Sequence, residues 1–270
     1  MSEGFIPDFF SDDSPLYQVI TLHSSTLAWE KIHEMAPLLP RGWYELSKFS
    51  PADRIEFSHQ YWLSKFLFDK EGDQHLADRL DKFFFNLEDI GVYLTQGAKG
   101  SPFQAHMVYS LQGDQGFFHG NPPASEETLA TLVKRFGHIE FPRDYLAFLT
   151  IHDGFNKYLD TGLIRTRDMA KVYQKLQLQL EDRVLLGPDK EEIDSAKLIP
   201  FYESIHLHSY QCFFTDWQAN DEMYNLYFSP DDYASAHLLD PRLVEENFSF
   251  TSFLGWLLFY LEDIWLLNDS

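Results

Sequence analysis

The sequence predicts an α+β fold, and three observations carry that prediction. Two runs of β-branched, aromatic and apolar residues, Ile90–Thr95 and His106–Leu111, are parted by Gly97 and Gly100-Ser101-Pro102, as in a hairpin. Three further runs, Leu198–Tyr202, Gln211–Thr215 and Met223–Phe228, are set apart by His, Ser, Asp and Asn and read as one antiparallel sheet. Apolar stripes at helical spacing, several opened by capping residues, lie among these runs.

Taken in order, residues 1–16 are rich in Asp, Ser and Pro and are expected to form a loose arm. Tyr17–Leu22 suits a short strand, and Leu27–Met35 a helix that Pro37 and Pro40 stop. Ser50 can cap the next helix and Pro51 fits its first turn, with Ile55, Trp62, Leu63 and Phe66 on one face. His75–Phe85 continues the helical pattern ahead of the hairpin. The run Gly120-Asn121-Pro122-Pro123 ends helices and strands alike, so residues 17–120 form an N-terminal α+β segment and 121–270 a second domain.

In that domain Ser125, Glu126 and Glu127 make a capped, acidic first turn, and Leu129, Leu132, Val133 and Phe136 supply the apolar stripe. Pro142 opens another helix with Tyr145, Leu146, Phe148 and Leu149 inward, and Gly154 lies past its end. Leu163-Ile164 suits a strand and Asp168–Leu180 a helix, followed by a polar stretch, Asp182–Lys197. The chain closes on a helix whose stripe runs from Phe250 and Phe253 to Ile264 and Trp265. Trp256, Phe259 and Tyr260 lie off that stripe, to be covered by residues 1–120 or exposed to a partner.

Hydrophobic residues make up 44% of the 270 and aromatics 17%, enough to offset chain ordering and exclude a disordered chain. The formal charge of −21 argues against nucleic-acid binding, since affinity for phosphates comes from Lys and Arg and no basic stripe is present. From Leu198 onward, Arg242 is the one basic residue against twelve acids. Such a balance serves solubility, or steers a basic protein partner. The acids Asp216, Asp221, Glu222, Asp231 and Asp232, with Trp217 and Trp256 as aromatic anchors, are the candidate contacts.

A single cysteine, Cys212, excludes an internal disulfide and suits the cytoplasm. The acidic N-terminus lacks the basic and apolar regions of a signal peptide, and no membrane contact is expected. The longest apolar stretch, Phe253–Leu267, contains Glu262 and Asp263 and falls short of the roughly 20 residues that span a bilayer.

Catalytic fingerprints are missing: no phosphate-cradling loop, dinucleotide motif, H-E-x-x-H or G-x-S-x-G occurs. Cys212 with His206 and His208 could form a thiol–imidazole pair or a metal site, although ordinary strand residues explain them as well. His152-Asp153 could be an acid–base pair, or the product of a helix end where His meets free carbonyls and Asp tolerates the turn. The expectation is a protein that is not an enzyme and uses no cofactor or metal.

The run Phe136-Gly137, then Phe141-Pro142-Arg143-Asp144-Tyr145-Leu146-Ala147-Phe148-Leu149, then His152-Asp153-Gly154-Phe155 resembles the signature of the SUKH superfamily. That group holds fungal cell-wall regulators of the Smi/Knr type and many bacterial toxin-immunity proteins. Leu198-Ile199-Pro200, Phe213-Phe214-Thr215-Asp216 and Ser249-Phe250-Thr251-Ser252-Phe253-Leu254 follow in the family's order. Phe141 stands in place of Leu, Asp153 of Asn and Phe155 of a second Gly. The matched structural positions are Gly137, Pro142, Tyr145, Phe148, Leu149, Gly154, Phe250 and Phe253, none of them a catalyst. The resemblance implies a SUKH-like domain, a curved, mostly antiparallel sheet flanked by helices and used for protein binding. Neutralisation of a basic toxin is its most specific version, and a regulatory scaffold the alternative.

Overall fold

The computed structural model describes residues 16–66, 68, 73–114, 116–137, 139–157, 160–181, 185–186, 192–204, 209–219, 222–228 and 249–262. Residues 1–15 of the arm, and residues 182–184 and 187–191 of the polar stretch, thus lie outside the described residues. The fold is α+β with antiparallel sheets. By internal contacts the chain divides into two units, Met1–Lys65 with Ala77–Pro122, and Phe66–Leu76 with Pro123–Ser270.

The first unit runs β1 (Gln18–Thr21), α1 (Trp29–Met35), α2 (Arg41–Leu46), α3 (Pro51–Lys65), α4 (Asp73–Phe85, which begins in the other unit), β2 (Leu87–Gln96), β3 (Gln104–Leu111) and β4 (Phe117–Gly120). Strands β1 to β4 pair antiparallel in chain order. Helix α2 was not foreseen: Pro40, read as a stop, is its N-cap, where a missing N–H costs nothing. Ser50 does cap α3, accepting from the Asp53 amide at 3.3 Å.

Trp62 on α3 donates Nε1–H to the Tyr109 hydroxyl at 3.2 Å, and its ring meets Phe84 and Tyr109 edge-on. Phe83 packs on Phe118 in the same way, so α3 and α4 cover one sheet face with an aromatic core. The buried side of α3 is rotated from the expected one. Arg54, Ser58 and Trp62 point inward, while Ile55 and Leu63 are only half-buried. Arg54 goes in because Asp89 neutralises it, with Nε and Nη2 donating to the carboxylate at 2.6–3.0 Å and Nη1 to the Phe49 carbonyl at 2.7 Å.

The second unit continues α5 (Glu126–Arg135), α6 (Arg143–Leu149), β5 (Phe155–Lys157), β6 (Gly162–Leu163), α7 (Thr166–Leu180), β7 (Leu185–Leu186), β8 (Glu192–Ile193), β9 (Leu198–Ser204), β10 (Ser209–Ala219), β11 (Glu222–Phe228) and α8 (Phe253–Glu262). One sheet has the order β11-β10-β9-β6, antiparallel throughout. Ser125 caps α5 by accepting from the Thr128 amide. On one side of the sheet Tyr145 of α6 and Phe253 of α8 meet Phe201 and Phe213, ring against ring, and Phe148 packs on Phe253. On the other, Leu176 and Leu180 of α7 pack with Leu198, Tyr210, Cys212, Phe214 and Leu226.

Two backbone devices hold the corner after α6. Gly154 has φ 96° and turns the chain into β5. Gly162 has φ 78°, and a Cβ there would lie 2.4 Å from the Phe155 carbonyl oxygen, so any side chain would push β5 and β6 apart. Asp144 ties the first and last helices of the motif together: Oδ1 accepts from the Tyr145 amide at 2.8 Å and Oδ2 from the Leu254 amide at 2.7 Å. A carboxylate suits the partial positive charge of α8's first turn. Asp144→Ala is therefore expected to cost about 1.5–3 kcal/mol, the range for hydrogen bonds to charged groups, with Asn recovering part. A thermal melt that does not move would exclude this cap.

Candidate partner-binding surface

The sheet's free end is shaped by a bulge. Phe213 pairs with Asn225 but Gln218 pairs with Met223, so residues 214–217 of β10 oppose Tyr224 alone on β11. Extra residues in one strand bend it and re-aim side chains. Asp216 is turned out, with 55% of its side chain exposed, while Trp217 folds back edge-on against Phe214, ring centroids 4.7 Å apart. Trp217 is partly buried on the α7-side core, which fixes it without hiding it. The Ala219↔Glu222 pairing places the Glu222 backbone at the tip beside them. Asp221, Asp231 and Asp232 lie outside the described residues.

Among the described residues, two acids of the C-terminal stretch are paired with lysines. Lys197 reaches Asp216 at 3.1 Å, and Lys175 of α7 reaches Glu203 at 2.7 Å. Tyr210 also donates to Glu203, at 3.4 Å, and the Glu203 hydrogen bond holds the Lys175 ammonium above its ordinary range. Both lysines precede Leu198, so sequence counting from that residue missed them.

Trp256 needs correction. It is 3% exposed, meeting Phe201 and Tyr202 of β9 and stacking on Tyr260 at 5.2 Å, so it is a core side chain and no partner anchor. The second layer over the off-stripe aromatics comes from their own unit: Tyr202 and Tyr260 both donate to Asp160, and Tyr260 accepts the Lys157 amide. Phe259 packs on Phe250, whose backbone forms a two-bond bridge with Asn225. Of the other motif positions, Pro142 is the N-cap of α6, Leu149 is buried and Gly137 sits exposed in the turn after α5.

Cys212 is fully buried and burial pushes its thiol far up, which disfavours the reactive thiolate. His206 and His208 lie outside the described residues. His152 is buried between Phe148 and Phe155, while Asp153 turns to α7, accepting from the Thr166 amide at 2.7 Å and hydroxyl at 2.8 Å. Burial raises the Asp153 pKa, with the Thr166 hydrogen bonds opposing. Among the described residues no three His, Cys, Asp or Glu side chains converge to hold a metal ion, and no helix is long and apolar enough to cross a membrane.

Comparison with protein-family models, with curated proteins and with solved structures returned no match.

Proposed function

We propose that this protein is a non-enzymatic binding module of the cytoplasm that docks a basic protein partner on the bulged end of β10 and β11, in the manner of SUKH-type immunity proteins. The observation that carries this reading is the bulge itself, which sets an exposed carboxylate, Asp216, beside a half-buried indole, Trp217. An anchored aromatic next to a rim charge is the composition of a binding hot spot. The sheet beneath is made rigid by the rings of Tyr145, Phe201, Phe213 and Phe253, so the pair is presented on a fixed frame. The net charge of −21 supplies the long-range attraction a basic partner would feel, within a screening length of about 8 Å at physiological salt.

The two residues should act on different rates. With a partner in hand, Asp216→Asn combined with Asp221→Asn and Glu222→Gln is expected to slow association several-fold at low salt and little at high salt. Trp217→Ala should instead speed dissociation about tenfold or more. Surface plasmon resonance at two ionic strengths reads both. An association rate indifferent to the acid variants at low salt would show that these charges serve solubility alone.

A further inference from the structure

Along the edge of its buried side, α3 carries a stripe of exposed aromatic residues. Phe57 keeps 56% of its surface exposed and Tyr61, one turn on, 39%. Phe49, just ahead of the helix and 45% exposed, packs edge-on against Phe57 at 6.2 Å. A lone exposed ring needs no explanation, but contiguous ones mark contact surfaces. Phe57 and Tyr61 border the side of the helix that buries Arg54, Ser58 and Trp62, and each still keeps more than a third of its surface exposed.

Charge beside the stripe selects the occupant. Asp53 and Glu56 are exposed on the same stretch of helix and take only neutral donors, the Ser50 hydroxyl and the Gln60 side-chain amide. Among the described residues neither has a cation within ion-pairing distance. At the far end the Lys65 ammonium already covers the Tyr61 ring at 5.0 Å, which leaves the Phe57 end, beside Asp53 and Glu56, for a partner's cation. A second copy of the chain, at −21, would bring Asp53 and Glu56 against their own equivalents. Residues 1–15, although they contain Phe5, Phe9 and Phe10, hold four acids and no Lys or Arg, and meet the same repulsion.

We propose that the Phe49–Phe57–Tyr61 stripe docks an amphipathic segment of a partner protein that carries arginine beside aliphatic side chains. Arginine meets both halves of the surface, because its guanidinium stacks on rings and pairs with carboxylates in one geometry. The aliphatic residues fill the space between the rings. This surface lies on a different part of the chain from the one around Asp216 and Trp217.

The test uses the full chain and a labelled 14-residue peptide with leucine and arginine at helical spacing, followed by fluorescence anisotropy. Phe57→Ala with Tyr61→Ala is expected to weaken binding about tenfold or more, since aromatic anchors dominate such contacts. Asp53→Asn with Glu56→Gln should weaken it about three- to tenfold at low salt and little at high salt. Asp216→Asn with Trp217→Ala should leave it unchanged. Should the double aromatic variant melt early, Phe57→Gln alone serves. Wild-type affinity in the aromatic variants, or equal affinity for a peptide with glutamine in place of arginine, would overturn the proposal. So would a dimer in sedimentation that the aromatic variants dissolve, or a tenfold tightening on removal of residues 1–15, since these would seat a second copy or the chain's own terminus there.

Discussion

Arg54→Ala is expected to destabilise the protein by about 3–5 kcal/mol, the cost of leaving one member of a buried pair without its partner. The guanidinium side chain is 5% exposed and makes three bonds to Asp89 and one to the Phe49 carbonyl. Removing it strands the carboxylate and the carbonyl together and leaves a void beside α3 and β2. Asp89 is 30% exposed and can recover some hydration, which sets the expectation at the lower end of that range. Arg54→Met with Asp89→Leu, which removes both charges and keeps volume, should cost much less than Arg54→Ala alone. Urea unfolding of the three proteins measures the difference. A loss below about 1 kcal/mol for Arg54→Ala would mean that the pair is hydrated and contributes as little as a surface bridge.

Local signals were readable wherever a single residue carries the physics. Ser50 and Ser125 cap the helices they were expected to cap, because a hydroxyl ahead of an apolar stripe has one good use. The runs read as strands do form strands in both units, whereas β4, β5, β7 and β8 were not foreseen, and Gly154 turns the chain where it must. What the sequence concealed depends on a second residue far away. Arg54 looks like a solvent residue until Asp89 is placed beside it, which rotates the inward face of α3. Lys175 and Lys197 belong to a mixed stretch of sequence but pair with Glu203 and Asp216 on the folded sheet. Trp256 looked available because a helical wheel allows one buried face, whereas α8 is apolar nearly all round and is buried accordingly. Asp144 gave no signal of its own: a carboxylate in a first turn is ordinary, and its second partner is the Leu254 amide, at the other end of the domain. The bulge that shapes the candidate surface is a register shift, and no residue type announces one.

Tyr145 separates the ring from its hydroxyl. The ring is fully buried and contacts Phe141, Phe201, Phe213 and Phe253, joining α6 and α8 to the sheet. Tyr145→Ala should therefore cost about 3–5 kcal/mol, as large aromatic truncations in closed cores do, because neighbours held by several other rings cannot collapse into the space. The hydroxyl has no hydrogen-bond partner among the described residues, and burial pushes its phenol far above the ordinary range. A buried donor without an acceptor carries the desolvation cost of its dipole and returns nothing, so its removal releases that cost. Tyr145→Phe is accordingly expected to leave stability unchanged or to raise it by about 1 kcal/mol, with every ring contact kept. A neutral or stabilising Phe would mean that packing is not what selects the hydroxyl here. Paired thermal and urea unfolding of the Ala and Phe variants decides the matter. A loss above about 1 kcal/mol for Tyr145→Phe would show that the hydroxyl is bonded in the folded protein, and an unmoved melt for Tyr145→Ala would remove Tyr145 from the core.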